Sequence, residues 1–177
     1  MSGGGARAYL GLGANVGDPR AQLQAAVDAL RERGVTTVQS SSVYETDPVG
    51  DIQDQPVFLN ACVAVEVVDG VDPDALLAAC KDVERALGRV TEGPGYVHHG
   101  PRPIDVDVLL YGSTAWSSDR LTIPHPGLLE RRFVLIPLLE MDYNLQTPAG
   151  ARLSDALAAL PVTEGVRRSG PPLTLTL

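Results

Sequence analysis

The sequence predicts a single α+β domain in which an antiparallel sheet packs against helices. Its 177 residues suit one domain, and 44% of them are hydrophobic, which is enough to build a core. Segments with strand and helix periodicity follow one another in the order β-α-β-β-α-β, with additions at the end. This order is typical of the ferredoxin-like arrangement. We expect a flexible lead over residues 1–6, one domain over 7–161, and a tail or edge strand over 162–177.

The first half of the domain begins with a strand at residues 7–14. Asp18 followed by Pro19 is a favourable helix start, with an N-cap side chain and a proline at the first helical position. Apolar residues then recur at helical spacing until Gly34, which is expected to end the helix. Residues 35–45 are rich in β-branched side chains and predict one further strand.

The second half repeats the pattern. Residues 57–68 predict a long strand in which Phe58 and Asn60 share a face with Cys62 and Ala64. A second helix opens at Asp72 or Pro73 and ends at Gly88. Its apolar stripe comprises Leu76, Leu77, Cys80, Val83, Glu84 and Leu87. Beyond the next strand, the sequence predicts a turn or short helix at 126–131, an apolar stretch at 133–139 and a short helix at 154–160. The final segment, GPPLTLTL, predicts an edge strand or a loose tail.

The strand GPRPIDVDVLLYG, residues 100–112, carries two aspartates among apolar residues. Strand alternation places Asp105 and Asp107 on one face with Leu109 and Tyr111, and their side chains about 6–7 Å apart. Ile104, Val106, Val108 and Leu110 are expected on the other face. Two adjacent carboxylates repel each other unless a positive group lies between them. A divalent cation bound to phosphate would serve, since Mg²⁺ takes one or two carboxylates together with phosphate oxygens. A solvated, exposed acidic face is the alternative.

Charge and composition narrow the range of functions that the chain could have. The net charge of −8 argues against broad nucleic-acid binding, and no apolar run is long enough to span a membrane. Several arginines nevertheless lie near the aspartate pair in sequence, and arginine is suited to bidentate binding of phosphate. They are Arg89, Arg102, Arg120, Arg131 and Arg132. Together with the aspartates they suggest a polyphosphate site, although any one of them could be a solvated surface residue.

Other features favour structural explanations. GLGANVG resembles a dinucleotide-binding turn, but its third glycine is one position late, so close backbone packing at a turn is the better interpretation. His98 and His99 match no metal-binding spacing and are expected on a loop surface, and Trp116 is expected to pack at a hairpin. Cys62 and Cys80 form no CxxC motif, which predicts small buried thiols in a reducing cytoplasm.

Five segments occur together in a specific order: YLGLGANVGD, SSVYETDPVG, DQPVFLNACV, GPRPIDVDVLLYG and RLTIPHPGLLERRFVLIPLLE. Over residues 8–150 the chain resembles the pyrophosphokinases that act on 6-hydroxymethyl-7,8-dihydropterin in folate biosynthesis. The resemblance implies a ferredoxin-like αβα sandwich and transfer of diphosphate from ATP to the pterin hydroxymethyl group, with release of AMP. It also implies a cytoplasmic enzyme with two small-molecule substrates, expected to be a monomer with no nucleic-acid or membrane partner.

The resemblance further assigns site residues. It implies that Asp105 and Asp107 hold two Mg²⁺ ions, and that Arg89 and Arg102 act with them in catalysis. The pterin positions match Thr46, Val49, Phe58, Asn60 and Phe133. A flat bicyclic ring needs aromatic rings to stack on and a side-chain amide to read its edge. The ATP positions match Lys81, Glu84, Arg102, Val108, Arg120, Thr122, His125 and Arg131.

The chain departs from the family pattern in the loop at residues 89–99. A second arginine after Arg89 is missing, and His99 stands where a tryptophan is expected. This loop is the lid in the family, so a second hypothesis is a divergent relative that binds pterin or nucleotide but turns over weakly, or that phosphorylates a related alcohol. A non-catalytic regulatory module of the same fold is a third, although such a module has no need of paired acids on a strand.

Overall fold

The computed structural model describes residues 6–47, 56–88, 103–162 and 165–175. The first part comprises β1 (Ala6–Ala14), α1 (Pro19–Glu32), β2 (Val35–Ser40), β3 (Val43–Thr46), β4 (Phe58–Val67), α2 (Pro73–Ala86) and β5 (Asp105–Tyr111). The second part adds β6 (Trp116–Ser117), β7 (Thr122–Ile123), a 3-10 turn at Leu128–Glu130, α3 (Arg132–Met141), α4 (Leu153–Ala159) and β8 (Val166–Gly170).

The main sheet is antiparallel and runs in the order β5-β1-β4-β3-β8, with β2 also paired to β4. Helices α1 and α2 cover one face and enclose the first core, which includes Leu10, Val63 and Val106. Helices α3 and α4 cover part of the other face and enclose the second core, which includes Cys62 and Leu135. The predicted ferredoxin-like order and αβα layering are therefore confirmed.

The predicted helix starts are confirmed at the level of individual hydrogen bonds. The Asp18 carboxylate accepts from the Ala21 amide at 3.2 Å, and the Asp72 carboxylate accepts from the Ala75 amide at 2.8 Å. Each of these N-caps satisfies a backbone donor that has no partner within the helix. The first helix ends just before Gly34, which has a φ of +79°, a conformation that glycine adopts without steric cost.

The prediction of a single strand over 35–45 is wrong, because regular strand structure is interrupted at Ser41 and Ser42. Both serines are fully buried, and the Ser41 hydroxyl accepts from the Cys62 amide at 2.9 Å. A serine side chain that bonds to backbone competes with the regular ladder, so the strand bends there into two segments. The apolar stretch at 133–139 lies within helix α3.

The predicted faces of the aspartate strand hold as far as Leu109, which lies on the same face as Asp107. Between Tyr9 and Leu10 the β1–β5 register shifts by one residue, which leaves Leu109 as the extra residue of a β-bulge. Leu110 therefore joins Leu109 in the second core instead of sharing a face with Val108. Tyr111 turns to the first-core side, where its hydroxyl donates to the Val71 carbonyl.

Other sequence expectations have mixed outcomes. Cys62 and Cys80 are buried free thiols, as predicted. Trp116 packs on the first core in the β6–β7 hairpin and donates to Asp74 at 3.2 Å. The C-terminal strand is β8 at 166–170, an edge strand of the sheet that ends at Gly170, the first residue of GPPLTLTL. Within the parts of the chain that the structure describes, no helix combines the length and apolar character of a bilayer-spanning segment.

Candidate active site

Gly11 and Gly13 of β1 form a strip that has no side chains of its own on the face of the sheet that carries Asp105 and Asp107. The Leu109 side chain lies over Gly11, and the Asn60 side-chain oxygen lies over Gly13. Gly13 pairs with Asp105 on one side and Asn60 on the other, and Gly11 pairs in the same way with Asp107 and Cys62. A Cβ on Gly13 would lie 2.7 Å from the Asn60 side-chain oxygen, which is too close for any real contact. Gly11 and Gly13 of GLGANVG thus serve close packing as predicted, but within a strand rather than at a turn, whereas Gly17 lies after the strand with a φ of +68° and no close neighbour.

Three carboxylates converge beside this strip. Ligand oxygens of Glu84, Asp105 and Asp107 all lie within 4.8 Å of one another. Glu84 comes from helix α2, and its Oε2 accepts from the Val106 amide of the edge strand β5 at 2.8 Å. This bond fixes the Glu84 carboxylate at the sheet edge, next to both aspartates. We refer to Glu84, Asp105 and Asp107 as the acidic cluster.

Cations partly balance the acidic cluster. Lys81, one turn before Glu84, places its ammonium 3.2 Å from Glu84 Oε1. Burial and the Asp105 charge raise the pKa of Asp107 to about 7, and Lys81 and Arg131 oppose that rise. Ionised Asp107 therefore places a second negative charge beside Asp105 in a buried position, and Lys81 and Arg131 offset that charge only in part.

The acidic cluster has the chemistry of a magnesium site. Mg²⁺ prefers oxygen ligands, and a cation among three carboxylates would remove the repulsion that raises the Asp107 pKa. The residues present therefore fit the ion, with Asp105 and Asp107 as the expected ligands and Glu84 as a third donor at the same point. The sequence did not indicate this part of the Glu84 role. A signal was present, since an acid on the apolar stripe of α2 must find a polar partner when buried.

A second group of predicted residues lies across the strip, on β3 and β4. The Asn60 amide donates to the Thr46 hydroxyl at 2.5 Å, and Thr46 is the cross-strand neighbour of Phe58. Phe133 is in the first turn of helix α3, which packs on the same face, where the Cys62 thiol contacts the Val134 carbonyl at 3.8 Å. The structure therefore brings an amide, a hydroxyl and an aromatic ring together, with a second ring on the adjacent helix.

His125 and Arg131 lie beyond β5 on the acidic side. The His125 amide donates to the Leu109 carbonyl, and its Nδ1 accepts from the Gly127 amide at 3.0 Å. Burial and the nearby Arg131 charge lower the pKa of His125, so the neutral ring carries its proton on Nε2 and can donate from there. The Arg131 side chain lies against Gly127, where an added Cβ would be 2.6 Å from its Nε, and its guanidinium is 5.9 Å from the Phe133 ring centre.

The remaining residues that the sequence assigned to the site are not shown to contact the acidic cluster or lie outside the described residues. Thr122 is exposed on β7, which packs beside β5, and Arg120 is exposed in the preceding turn. The Val108 side chain is buried in the first core, on the face opposite Asp107, so the structure does not bring it to the acidic cluster. Val49, Arg89 and Arg102 lie outside the described residues, as do the departures from the family pattern at 89–99.

Comparison with known proteins places this site in context. The sequence profile of the 7,8-dihydro-6-hydroxymethylpterin-pyrophosphokinase family (HPPK) matches residues 9–143. A 2-amino-4-hydroxy-6-hydroxymethyldihydropteridine pyrophosphokinase from Methylorubrum extorquens is 45% identical over 155 residues, which cover 87% of this chain and 93% of that protein. The protein of the same name from Bacillus subtilis is 40% identical over 161 residues, or 90% of this chain and 88% of that protein.

Solved structures agree at the level of the fold. The HPPK-DHPS chain of Plasmodium falciparum, in its wild-type structure with pteroate, superposes with a TM-score of 0.66 at 14% identity. The match covers 89% of this chain but only 43% of that one, so the chain spans less than half of the length of that solved protein.

Proposed function

The chain belongs to the 7,8-dihydro-6-hydroxymethylpterin-pyrophosphokinase family, and from that premise we propose that it transfers diphosphate from ATP to the hydroxymethyl group of 6-hydroxymethyl-7,8-dihydropterin in folate biosynthesis. One observation carries the proposal. The acidic cluster and the Thr46–Asn60 pair lie on the same sheet face, on either side of the Gly11–Gly13 strip of β1. Such an arrangement suits a phosphate-bearing ligand on one side and a flat heterocycle on the other.

The proposed reaction is a direct displacement at phosphorus. The pterin hydroxyl oxygen forms a bond to the β-phosphorus of ATP, and the bond from that phosphorus to the oxygen bridging to the α-phosphate breaks. AMP leaves with the electron pair, and the hydroxyl proton passes to water or to a carboxylate of the acidic cluster. A reaction of this kind needs little covalent help, since alignment and neutralisation of charge provide most of the acceleration.

The acidic side supplies the neutralisation. We propose that Asp105 and Asp107 hold two Mg²⁺ ions, with Glu84 supporting the site, and that bound magnesium draws negative charge from the phosphate oxygens. We propose that Arg131 and the Nε2 proton of His125 bind phosphate oxygens on the same side, since the His125 Nδ1 is already occupied by the Gly127 amide. Lys81 holds Glu84 through their ion pair.

Further assignments to the phosphate side rest on the family alone. Arg89 and Arg102 are proposed to act in catalysis, while Arg120, Thr122 and the Val108 backbone are proposed to contact ATP.

The pterin side supplies recognition. We propose that the ring stacks between Phe58 and Phe133 and that Asn60 bonds to its polar edge, with Val49 completing the pocket. The Asn60 amide is already oriented by its bond to Thr46, so little side-chain entropy is lost when the substrate binds.

The proposal extends to the molecule as a whole. A single pyrophosphokinase domain over residues 7–161 would act as a cytoplasmic monomer on its two small-molecule substrates, with no nucleic-acid or membrane partner. Analytical ultracentrifugation with and without the substrates tests the monomer.

The decisive experiment is AMP release from ATP and Mg²⁺, with and without 6-hydroxymethyl-7,8-dihydropterin. Pterin-dependent AMP is the expected product, with Asp107→Asn as the inactive control. Formation of ADP would instead indicate simple phosphoryl transfer. If neither product forms although both ligands bind, the chain is a divergent binding protein and the proposal is wrong.

A further inference from the structure

A hydrogen-bonded network at the far end of helix α3 has no part in the function proposed so far. Both carboxylate oxygens of Glu140 are hydrogen-bonded to strand β3 or to Ser42, the residue that precedes it. Oε1 accepts from the Ser42 amide at 2.9 Å and from the Tyr44 hydroxyl at 2.8 Å, and Oε2 accepts from the Ser42 hydroxyl at 2.6 Å. Arg168 of β8 donates to the same Ser42 hydroxyl at 3.0 Å. We call Glu140, Ser42, Tyr44 and Arg168 the Glu140 network.

The Glu140 network is more than a surface contact. Ser42 is fully buried and Tyr44 is 9% exposed. Burial and the bond to Glu140 raise the pKa of Tyr44 to about 12, so its hydroxyl remains a donor at every physiological pH. Hydrogen bonds to a charged group are about twice as strong as neutral ones, so three of them join α3 firmly to β3.

The position of the network links it to the pterin side. Tyr44 is the cross-strand neighbour of Asn60 and stands two residues before Thr46, so all three side chains point to the same face of the sheet. Arg168 pairs with Tyr44 from the other side. The Glu140 network therefore borders the Thr46–Asn60 hydrogen bond directly.

The hydrogen bonds at Glu140 also constrain the other end of helix α3, where Phe133 lies. Glu140 follows Phe133 by seven residues, which is about two turns, so the two side chains lie on nearly the same face of α3. A bond between Glu140 and β3 consequently fixes the rotation of α3 about its axis, and with it the direction in which Phe133 points.

We propose that Glu140 is a positioning residue for the pterin substrate. By holding α3 in place, it fixes the direction of Phe133 relative to the sheet face that carries Phe58 and the Thr46–Asn60 pair. This inference rests on the proposed function, because it assigns the pterin to that face. It also gives a role to β8, which lies beyond the residues that the family profile matches and contributes Arg168 to the network.

The test compares Glu140→Gln and Tyr44→Phe with Tyr111→Phe as a matched control. Tyr111 also donates its hydroxyl to a single acceptor, the Val71 carbonyl, but on the first-core side of the sheet. Steady-state KM values for pterin and for ATP are measured from AMP release. The Kd for pterin is measured separately by titration in the presence of a non-hydrolysable ATP analogue.

We expect Glu140→Gln to raise the pterin KM and Kd about tenfold and Tyr44→Phe to raise them about threefold, with the ATP KM changed by less than about twofold. Tyr111→Phe should leave the pterin values unchanged. A purely structural role would predict the opposite pattern, in which both KM values change together or neither changes, and that result overturns the proposal.

The outcomes separate this inference from the proposed function. If the wild-type chain releases no pterin-dependent AMP, the proposed function is wrong, and the pterin Kd values still test the positioning role. If Glu140→Gln fails to fold, Tyr44→Phe decides the matter, because it keeps both Ser42 bonds to Glu140. An unchanged pterin Kd in Tyr44→Phe would then refute the inference.

Discussion

Replacing Asp107 by asparagine should make the protein more stable and much less active. Asparagine has nearly the same shape as aspartate but no charge, so it removes one of the three crowded carboxylates without leaving a cavity. The activity loss follows from the proposed magnesium role, and we expect kcat to fall at least about a hundredfold, as for one lost transition-state contact.

The gain in stability can be worked out from the pKa of Asp107, which is raised from 3.8 to about 7. A carboxyl group with a raised pKa binds more protons in the folded than in the unfolded protein, so the free energy of unfolding falls as pH rises between those two values. At about 1.4 kcal/mol per pH unit, the full cost above pH 7 is about 4 kcal/mol. Burial of Asp107 and its repulsion by Asp105 both contribute to this cost, so the gain in unfolding free energy on removing the Asp107 charge is at most about 4 kcal/mol.

The assay is urea unfolding in EDTA at several pH values from 4 to 8. Asp107→Asn should match the wild type near pH 4 and become steadily more stable than it up to about pH 7, with a constant difference above. Asp28→Asn is the control, since Asp28 is exposed on α1 and its replacement changes the net charge equally. Added Mg²⁺ should stabilise the wild type and have less effect on Asp107→Asn.

Two results would refute this reasoning. If Asp107→Asn is no more stable than the wild type at pH 7 in EDTA, the acidic cluster is not electrostatically crowded. If the variant keeps wild-type activity, Asp107 is not part of the reacting site.

Two further predictions concern packing around the site. Gly13→Ala should lower the free energy of unfolding by about 1–3 kcal/mol and raise the pterin KM, because its Cβ would lie 2.7 Å from the Asn60 oxygen. Gly11→Ala is the milder control in the same urea and kinetic assays, since the nearest contact of its Cβ would be at 3.4 Å. Equal effects of the two substitutions would contradict the packing argument. Glu84→Ala should lower the free energy of unfolding by about 1–3 kcal/mol, since it leaves the Val106 amide without this acceptor, whereas Glu84→Gln should cost less. If Glu84→Ala leaves the free energy of unfolding unchanged, the relief of carboxylate repulsion offsets the lost hydrogen bond.

Local sequence signals predicted most of the fold because they act over a few residues. Asp18 and Pro19 determine where α1 begins, whatever the rest of the chain does, since an N-cap bonds to an amide three residues away. The strand at 35–45 was the main error. Its β-branched residues favour a continuous strand, and the break depends on a bond between Ser41 and Cys62, which are 21 residues apart.

Within the site, too, features of one segment could be predicted, whereas contacts between distant segments could not. Asp105 and Asp107 could be predicted as a pair from strand alternation alone, because both belong to one strand. Glu84 could not be added to them from spacing, since it reaches the same point from a helix on the other side of the sheet edge. The bulge at Leu109 is likewise invisible in the sequence, because it is defined by the register against β1.

By itself, the sequence determined the order of the first strands and helices, the starts of α1 and α2, the paired aspartates and the family. Only the tertiary structure decided that Glu84 completes the acidic cluster, that Gly13 separates Asn60 from Asp105, and that Glu140 joins α3 to β3. The physical reason is that periodicity and capping are properties of neighbouring residues. A cluster of charges or a helix anchor depends instead on how distant strands and helices pack, which no local pattern encodes.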